Sequence, residues 1–579
     1  MHDLVIRGGT IVDGTGAAAY IGDVAVKDGI IVAVGSDVGS GAREIDAAGQ
    51  IVTPGFIDTH THLDGQATFD EVLAPSSWHG TTTVIMGNCG FGFAPVRPQD
   101  RLFQVEVMEA VEEIPAEVLM AGMPWTWESF PEYLDFLDSM PHTIDIAAQV
   151  PHCALRSYVM GQDRAIHAQA NDDEIAKMAE ITRDAVAAGA VGFATSRTFV
   201  HKTKHGDLVP GTDADPKELI AIARGMAEGG SGIFQMLSDA MGKDPELPWM
   251  KDIAHITKRP VVFSMVEVAP SDDLAFRTTL ADLQKAYDTE GVDIRAAVPW
   301  RPPGFMMGLQ TSLHPFSYYA QFAAFADTPL AEVVATMRDP AFRAEVLASA
   351  PDGSRSVAGL TTRWDRMYPL GEYPDYEPPY EASIAGLAQA AGVSPQEYAY
   401  DMLLRDEGQS FIYLPVANYT RGDYEILREM LVHPRTTASL SDAGAHVSSV
   451  CDASFTTFMF THWVKGRTRG ERIALEEVVR MQTSEPAHLY GMTDRGVIAP
   501  GLKADLNVID LDNLKLLAPY TAFDLPTGAK RMLQKAQGLS YTLVNGEVIF
   551  KDGACTTARP GKIVRGWQAA KVAGEAITA

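Results

Sequence analysis

Two histidines separated by one residue, His60 and His62, lie in the segment PGFIDTHTHLDG. Because side chains at positions i and i+2 of an extended backbone point the same way, both imidazoles can reach one metal ion. Imidazole is a good ligand for zinc. Two solvated loop histidines would have the same spacing, but here a Pro-Gly turn and a short apolar run come directly before the pair. The pattern therefore predicts a metal site at the end of a strand.

Other side chains with useful chemistry follow apolar runs elsewhere in the chain. His152 follows DIAAQVP, and its ring is predicted to point into the active site, with a structural histidine as the alternative. Arg197 and Arg301 follow GFATS and AAVPW; either guanidinium could pair bidentately with a substrate carboxylate, or with a surface acid. His446 lies four residues after Asp442 and could orient that carboxylate or contact a substrate.

The elements that must position these residues differ between the ends and the middle of the chain. Near each terminus, alternating Val and Ile with Gly-containing turns predict short β-strands, and Asp28-Gly29 and Asn545-Gly546 are typical hairpin turns. We expect one small β-domain built from residues 1–54 and 491–560, followed by a tail over 561–579.

Between these ends, over residues 55–490, short apolar runs alternate with helical stretches. Six runs are candidate buried strands: TTTVIMGNCG, DIAAQVPH, AVGFATSRT, SGIFQMLSD, RPVVFSMVEV and ASLSDAGAH. In NDDEIAKMAEITRDAVAAGA, Asn171 and Glu174 form an N-cap pair and Gly189 ends the predicted helix. This alternation favours a parallel barrel with its active site at the carboxyl ends of the strands. The Pro-rich and aromatic stretch at about 300–400 predicts an insertion over the barrel mouth.

Composition excludes several classes of partner. The chain has 579 residues, and 47 Lys and Arg against 75 Asp and Glu give a net charge of −28. Such a surface repels nucleic acid and anionic membranes. No signal-peptide pattern and no run of about 18 apolar residues is present. Four cysteines are too sparse for a disulfide framework. We expect a cytoplasmic protein with a small-molecule substrate, and homo-oligomer formation stays open.

Several of these segments resemble the amidohydrolase superfamily, and within it the D-aminoacylase and N-acyl-D-amino-acid deacylase family. The superfamily resemblance lies in VTPGFIDTHTHLDG, SDAGAH and APGLKADLNVID; GTTTVIMGNCGFGFAPV resembles the family's cysteine-bearing strand, and VPHCALR its Gly-His-x-x-Leu-Arg segment. The resemblance covers nearly the whole chain. It implies a distorted (β/α)8 TIM barrel, a small β-sandwich domain formed by both termini, and zinc-dependent hydrolysis of an amide.

The resemblance also implies a set of ligands. His60 and His62 would bind the metal from the first strand, Cys89 would be a zinc thiolate, and Asp442 would be the carboxylate at the end of the last strand. Asp442 would touch both metal and water, and would act as general base and then as general acid. The alternatives are a turn or helix-capping aspartate at 442 and a small buried residue at 89.

The chain departs from the family at the fifth and sixth strands, where the family supplies one histidine each. The corresponding residues are Gln235, Met236, Ser264 and Met265, and none is a good zinc ligand. We therefore predict one zinc ion per chain. A second site would need substitutes from neighbouring loops, namely Glu267, His201 or His205. His201 also joins His152, Arg197, Arg301 and His446 as a predicted substrate-binding residue.

Three functions fit this pattern. The first is a metal-dependent hydrolase of a carbon–nitrogen amide bond in an N-acyl-D-amino acid or a related amide. The second acts on a cyclic amide, a lactone or a bulkier amide, with the aromatic and Met-rich insertion lining a roomy pocket. The third is a non-catalytic scaffold that lost its activity together with the two missing histidines.

Overall fold

The computed structural model describes residues 1–240, 245–268, 275–325, 328–353 and 359–566. Most of the predicted tail over 561–579 lies outside these ranges. In the part of the chain that is described, no helix combines the length and apolarity that a bilayer crossing requires.

Both ends of the chain build one nine-stranded sheet. Its strands are His2–Ile11, Tyr20–Lys27, Ile30–Gly35, Gly41–Asp46, Ile51–Pro54, Leu506–Ile509, Leu539–Val544, Glu547–Lys551 and Ala554–Cys555. The fifth and sixth of these pair antiparallel and join the two halves. Two short ribbons follow in the C-terminal half: Lys515–Leu516 with Ala536–Gln537, and Tyr520–Ala522 with Arg531–Leu533. The prediction of a terminal β-domain from both chain ends is confirmed.

Both predicted hairpin turns form in this domain. Asp28 and Gly29 have φ of 51° and 77°, and Asn545 and Gly546 have φ of 51° and 75°. Positive φ at both central residues is the geometry of a type I′ turn, whose twist matches that of the flanking strands.

The middle of the chain forms an eight-stranded, all-parallel sheet. We call its members barrel strands 1 to 8: Phe56–Asp58, Thr81–Met86, Asp145–Pro151, Gly192–Arg197, Ile233–Ser238, Val261–Ser264, Ile294–Pro299 and Thr436–Ser439. Each pairs in chain order with the next. Beyond the last strand, a parallel bridge between Thr61 and Ala443 draws the first and eighth strands together. The predicted distorted (β/α)8 barrel is confirmed; barrel strand 1 is the strand predicted before His60, and barrel strand 7 lies outside the strands predicted from sequence.

Helices fill the connections between these strands. Before barrel strand 7 they are Arg101–Glu112, Ala116–Gly122, Phe130–Ser139, His152–Met160, Gln162–His167, Asp172–Ala188, Pro216–Gly229, Glu246–Thr257 and Ala275–Glu290. After it they are Leu330–Met337, Pro340–Leu347, Ile384–Ala391, Pro395–Leu403, Glu425–Leu431, Phe455–Phe458, Leu475–Gln482 and Ser484–Leu489, with a π-helix at Met459–Gly466. The predicted helix at 172–188 has the reciprocal Asn171–Glu174 capping box, and Gly189 follows its last residue at φ 125°.

The connection between barrel strands 7 and 8 is an insertion with its own small core. It covers residues 300–435, beyond the predicted end near 400, because barrel strand 8 begins only at Thr436. Its strands Gly304–Met307, Tyr368–Pro369 and Ile412–Pro415 form a separate sheet. Backbone hydrogen bonds from Met306 N to Ser449 O (2.7 Å) and from Asn418 N to Glu267 O (2.7 Å) fasten it to loops at the carboxyl ends of the barrel strands.

A buried charge cluster joins the terminal domain to the barrel. Asp145, the first residue of barrel strand 3, accepts hydrogen bonds from Arg495 Nη1 (2.6 Å), Lys503 Nζ and the backbone N–H of Lys562 (2.8 Å). Asp505 lies 3.7 Å from the same two cations. Because buried charges are costly without partners, these contacts stabilise the junction only as a complete set.

Replacing one member of this cluster should destabilise the whole fold. We expect Arg495→Met to lower the free energy of unfolding by about 3–5 kcal/mol, since it leaves buried carboxylates without their partner. Urea denaturation of the variant measures this loss. The matched control is Arg183→Met, which removes an exposed pair with Asp184 and should cost about 0–1 kcal/mol. Equal midpoints for the two variants would contradict the assignment.

Candidate metal centre

His60 and His62 follow barrel strand 1 and are both buried. Their backbone is tied to the residues after barrel strand 8: Asp442 N donates to His60 O (3.1 Å), and His62 N donates to Ala443 O (2.7 Å). Asp58 fixes the start of the turn by accepting from His60 N at 3.2 Å. The two histidines therefore face Asp442 across the seam of the barrel.

Cys89 enters the same space from the turn after barrel strand 2. It adopts a left-handed conformation, with φ of 53°, between Gly87 and Gly90. A Cβ at Gly87 would lie 2.3 Å from the backbone oxygen of Gln149, so the turn requires glycine there. The Cys89 Sγ atom lies 3.3 Å from His60 Nε2.

Asp442 lies beside two of these three side chains, the histidines, and offers a further donor. Its Oδ1 lies 3.3 Å from His60 Nε2 and 3.8 Å from His62 Nε2, and the ligand atoms of His60, His62 and Cys89 lie within 4.8 Å of one another. A tetrahedral zinc ion with bonds of about 2.0–2.3 Å separates its ligand atoms by about 3.3–3.8 Å. Imidazole, thiolate and carboxylate are also ligands that zinc accepts. The residues present therefore fit the metal.

Burial sets the protonation of these donors. It lowers the pKa of His60 to about 3 and that of His62 well below its usual value, so both rings stay neutral and keep a free lone pair. It raises the pKa of the Cys89 thiol well above its usual value, and the charge of a bound cation is what favours a thiolate there. Removal from water also raises the pKa of Asp442 to about 6, against the opposing influence of His446.

The positions of the two missing histidines are filled by buried side chains, one of which contacts the site. Gln235 Oε1 accepts a hydrogen bond from Cys89 N at 3.3 Å and so braces the cysteine turn. Met236, Ser264 and Met265 are buried. Within the described ranges, His60, His62 and Cys89 are the one group of three His, Cys, Asp or Glu side chains close enough to share an ion.

None of the three predicted substitutes joins this group. The Glu267 carboxylate accepts a hydrogen bond from Thr420 and so faces the insertion. His205 is exposed on the surface. His201 comes nearest: its Nδ1 lies 2.9 Å from Ser196 Oγ, and its ring packs 5.2 Å from that of Phe91.

His152 does not point into the barrel mouth, which corrects the prediction from sequence. Its Nδ1 lies 2.7 Å from Thr195 Oγ1 and its Nε2 lies 2.8 Å from Glu218 Oε1, so both ring nitrogens are occupied. Glu218 belongs to a helix packed outside the barrel and also pairs with Arg156 at 2.9 Å. The ring is fully buried between strand and helix, as in the structural alternative.

The two arginines predicted to bind a carboxylate are also committed elsewhere. Arg197 pairs with Glu246 at 2.8 Å and donates to Ala214 O at 2.9 Å. Arg301 has no exposed surface; it pairs with Asp452 at 2.7 Å and lies 4.0 Å from the centre of the Tyr376 ring. Both guanidinium groups thus have an acidic partner within the protein, and substrate binding by either arginine stays a prediction.

Two adjacent acids that sequence reasoning missed, Glu112 and Glu113, lie beside the site. Glu112 is only 3 % exposed, and its two oxygens lie 3.6 Å from His62 Nδ1 and 3.7 Å from His446 Nε2. Glu113 Oε2 lies 3.7 Å from His446 Nδ1. His446, predicted to orient Asp442 or contact the substrate, lies between these two glutamates. Burial raises the pKa of Glu112 to about 8. A Glu-Glu pair at a helix end gives no sequence signal, because it is typical of a solvated surface.

Comparison with known proteins places this architecture in a family. A sequence model of the amidohydrolase family matches residues 43–550, and the chain belongs to that family. N-acyl-D-aspartate deacylase from Alcaligenes xylosoxydans xylosoxydans is 26% identical over 572 residues, covering 97% of this chain and 95% of that protein.

Solved structures agree with the fold. N-acyl-D-glutamate deacylase from Bordetella bronchiseptica, complexed with zinc and a phosphonate inhibitor, superposes with a TM-score of 0.63 at 26% identity, covering 98% of this chain and all of that one. A D-aminoacylase superposes with a TM-score of 0.64 at 24% identity and covers 98% of this chain and 100% of its own. The chain is accordingly a hydrolase that acts on carbon–nitrogen bonds other than peptide bonds.

The contact of Cys89 with His60 gives a test of the thiol's role. If Cys89 is a ligand, Cys89→Ser should lower zinc affinity strongly while the fold survives, because a hydroxyl is a far poorer zinc ligand than a thiolate. Chelator competition measures the affinity, and Cys153→Ser, a buried cysteine outside the site, is the matched control. Unchanged zinc affinity in Cys89→Ser would leave a site of His60, His62 and Asp442.

Proposed function

We propose that this protein hydrolyses the amide bond of a small molecule with one zinc ion held by His60, His62, Asp442 and Cys89, and that N-acyl-D-amino acids are the first substrate class to test. Two observations carry the proposal: the ligand atoms of His60, His62 and Cys89 lie within 4.8 Å of one another, and Asp442 Oδ1 lies 3.3 Å and 3.8 Å from the two histidines. The deacylases named above support the substrate class, since each covers nearly the whole chain.

In this proposal the zinc ion and the residues around it would have distinct roles. When bound, the zinc ion supplies Lewis-acid chemistry: it lowers the pKa of water and polarises a carbonyl. The side chain of Asp442 is about one third exposed, so it can contact both the other metal ligands and a substrate in the barrel mouth. Its carboxylate would take the proton of the attacking water and return it to the leaving nitrogen. His60 and His62 stay neutral and hold their positions through the backbone bonds to the loop after barrel strand 8.

One observation favours a second substrate class. The cavity beside Asp442 has a volume of about 30 Å³, room for little more than water, and its lining includes Val447, Val450 and Met532. The cation in its lining, Arg531, is pinned by Asp524 at 2.7 Å and by Ala74 O at 2.8 Å. With Arg197 and Arg301 also engaged, an uncharged cyclic or bulky amide, or a lactone, is the competing proposal.

Metal analysis together with a substrate panel tests the function. We expect about one zinc per purified chain, and loss of turnover on chelation. Amine release is measured from N-acyl-D- and N-acyl-L-amino acids, and ring opening from neutral cyclic amides and lactones. Turnover of the D-amino-acid derivatives alone supports the first class, and turnover of neutral substrates alone supports the second. A purified protein without metal and without turnover would support the third hypothesis, a non-catalytic scaffold.

Asp442→Asn should be the most damaging conservative change. It keeps the shape of the side chain but removes the base, and general acid–base catalysis contributes about 10²–10⁴-fold. We expect the turnover number to fall by at least that factor with the fold intact by circular dichroism. Asp184→Asn, an exposed carboxylate on an outer helix, is the control and should behave as wild type. Near-normal turnover of Asp442→Asn would refute the mechanism.

A further inference from the structure

His62 has one nitrogen that the proposed metal site leaves without a partner. Its Nε2 faces Asp442 Oδ1, on the side of the other donors. Its Nδ1 is buried and has no hydrogen-bond partner. A neutral imidazole that binds metal through one nitrogen carries its proton on the other, and that N–H requires an acceptor.

Glu112 is the charged group on that side of the ring, with Oε1 at 3.6 Å from Nδ1. We propose that Glu112 is a positioning residue for His62: its carboxylate holds the proton on Nδ1 and so presents Nε2 to the metal. This inference rests on the proposed role of His62 as a ligand.

The position of Glu112 between two histidines supports this role. A buried carboxylate is costly unless it is paired. The groups that act on Glu112 are the imidazole of His446 and further acids, namely Asp442, Asp64 and Glu113. The carboxylate of Glu112 lies between two imidazoles, that of His446 and that of the proposed ligand His62.

Glu112 is itself held in place from the far side. Its Oε2 lies 3.7 Å from His446 Nε2, and its backbone oxygen accepts from His446 N at 2.5 Å. Glu113 holds the other nitrogen of His446 at 3.7 Å and accepts from Ser449 Oγ at 2.9 Å. Acid and imidazole thus alternate from His62 to the half-exposed Glu113. This series of side chains connects the segments that follow barrel strands 1, 2 and 8.

Zinc affinity of three variants tests the inference, with chelator competition as the measurement. We expect Glu112→Gln, which keeps an acceptor oxygen, to bind zinc about 10-fold more weakly, and Glu112→Ala about 100-fold more weakly. Glu109→Gln, the same change at an exposed position one turn earlier on the helix, should stay within about twofold of wild type. Cobalt-substituted Glu112→Gln should also show a shifted visible absorption band, which a change in fold stability alone would not produce.

The melting temperatures of the metal-free variants and wild type show whether a loss of zinc affinity comes from lost positioning of His62 or from lost stability of the fold. Wild-type zinc affinity in Glu112→Gln and Glu112→Ala, with zinc bound normally by the wild type, would overturn this inference and leave the proposed function standing. A wild-type chain without zinc would overturn both. If neither Glu112 variant folds, His446→Asn replaces them, since it loosens the hold on Glu112; an unchanged zinc affinity and cobalt spectrum in that variant would equally overturn the inference.

Discussion

The seam between the first and eighth barrel strands is the constraint on which the site depends. Two backbone hydrogen bonds, from Asp442 N to His60 O and from His62 N to Ala443 O, cross it. The hydroxyl groups of Thr59 and Ser439 meet beside them at 2.8 Å. Because these bonds fix the backbone on both sides, the side chains of residues some 380 positions apart reach one point. The remaining donor, Cys89, reaches the same point because it lies in a tight turn that requires glycine at position 87.

The site combines this geometry with a cluster of buried acids. Beside them His446 carries one positive charge, because Glu113 and Glu112 raise its pKa to about 9 against the effect of burial. Asp58, Asp64, Glu112 and Asp442 all have their pKa raised by burial, to about 7, 7, 8 and 6. Acids in such surroundings favour their protonated form until a cation is nearby. The two buried histidines stay neutral and add no compensating charge. The protein therefore provides a pocket whose electrostatics favour a divalent ion, and the neutral imidazoles are its natural ligands.

Local features of this chain could be predicted from sequence, because their causes are local. The type I′ turns follow from Asp-Gly and Asn-Gly, and the capping box follows from Asn171 and Glu174. The pairing of both termini and the barrel follow from the pattern of apolar runs. The site was reached only in part: the H-x-H pair indicates a metal by its spacing, whereas Asp442 and Cys89 required the resemblance to a family.

The features that sequence could not give depend on contacts between distant segments. Arg301 is predicted equally well as a substrate clamp or a surface ion, and its burial is decided by Tyr376 and Asp452. His152 is turned outward by Glu218, which lies 66 positions away. Glu112 is a surface-like glutamate in sequence, and only the packing of its helix against the loop carrying His446 places it behind His62.

The cluster around Asp145 has a consequence for how the chain is made. The aspartate emerges from the ribosome 350 residues before Arg495 and well before Lys503. Until those cations arrive, the start of barrel strand 3 carries a carboxylate that cannot be buried favourably. The N-terminal strands likewise wait for Leu506–Ile509 before their sheet is complete. Vectorial synthesis therefore delays burial of this face, and a nascent chain that has not reached Leu506 leaves the edge of Ile51–Pro54 unpaired.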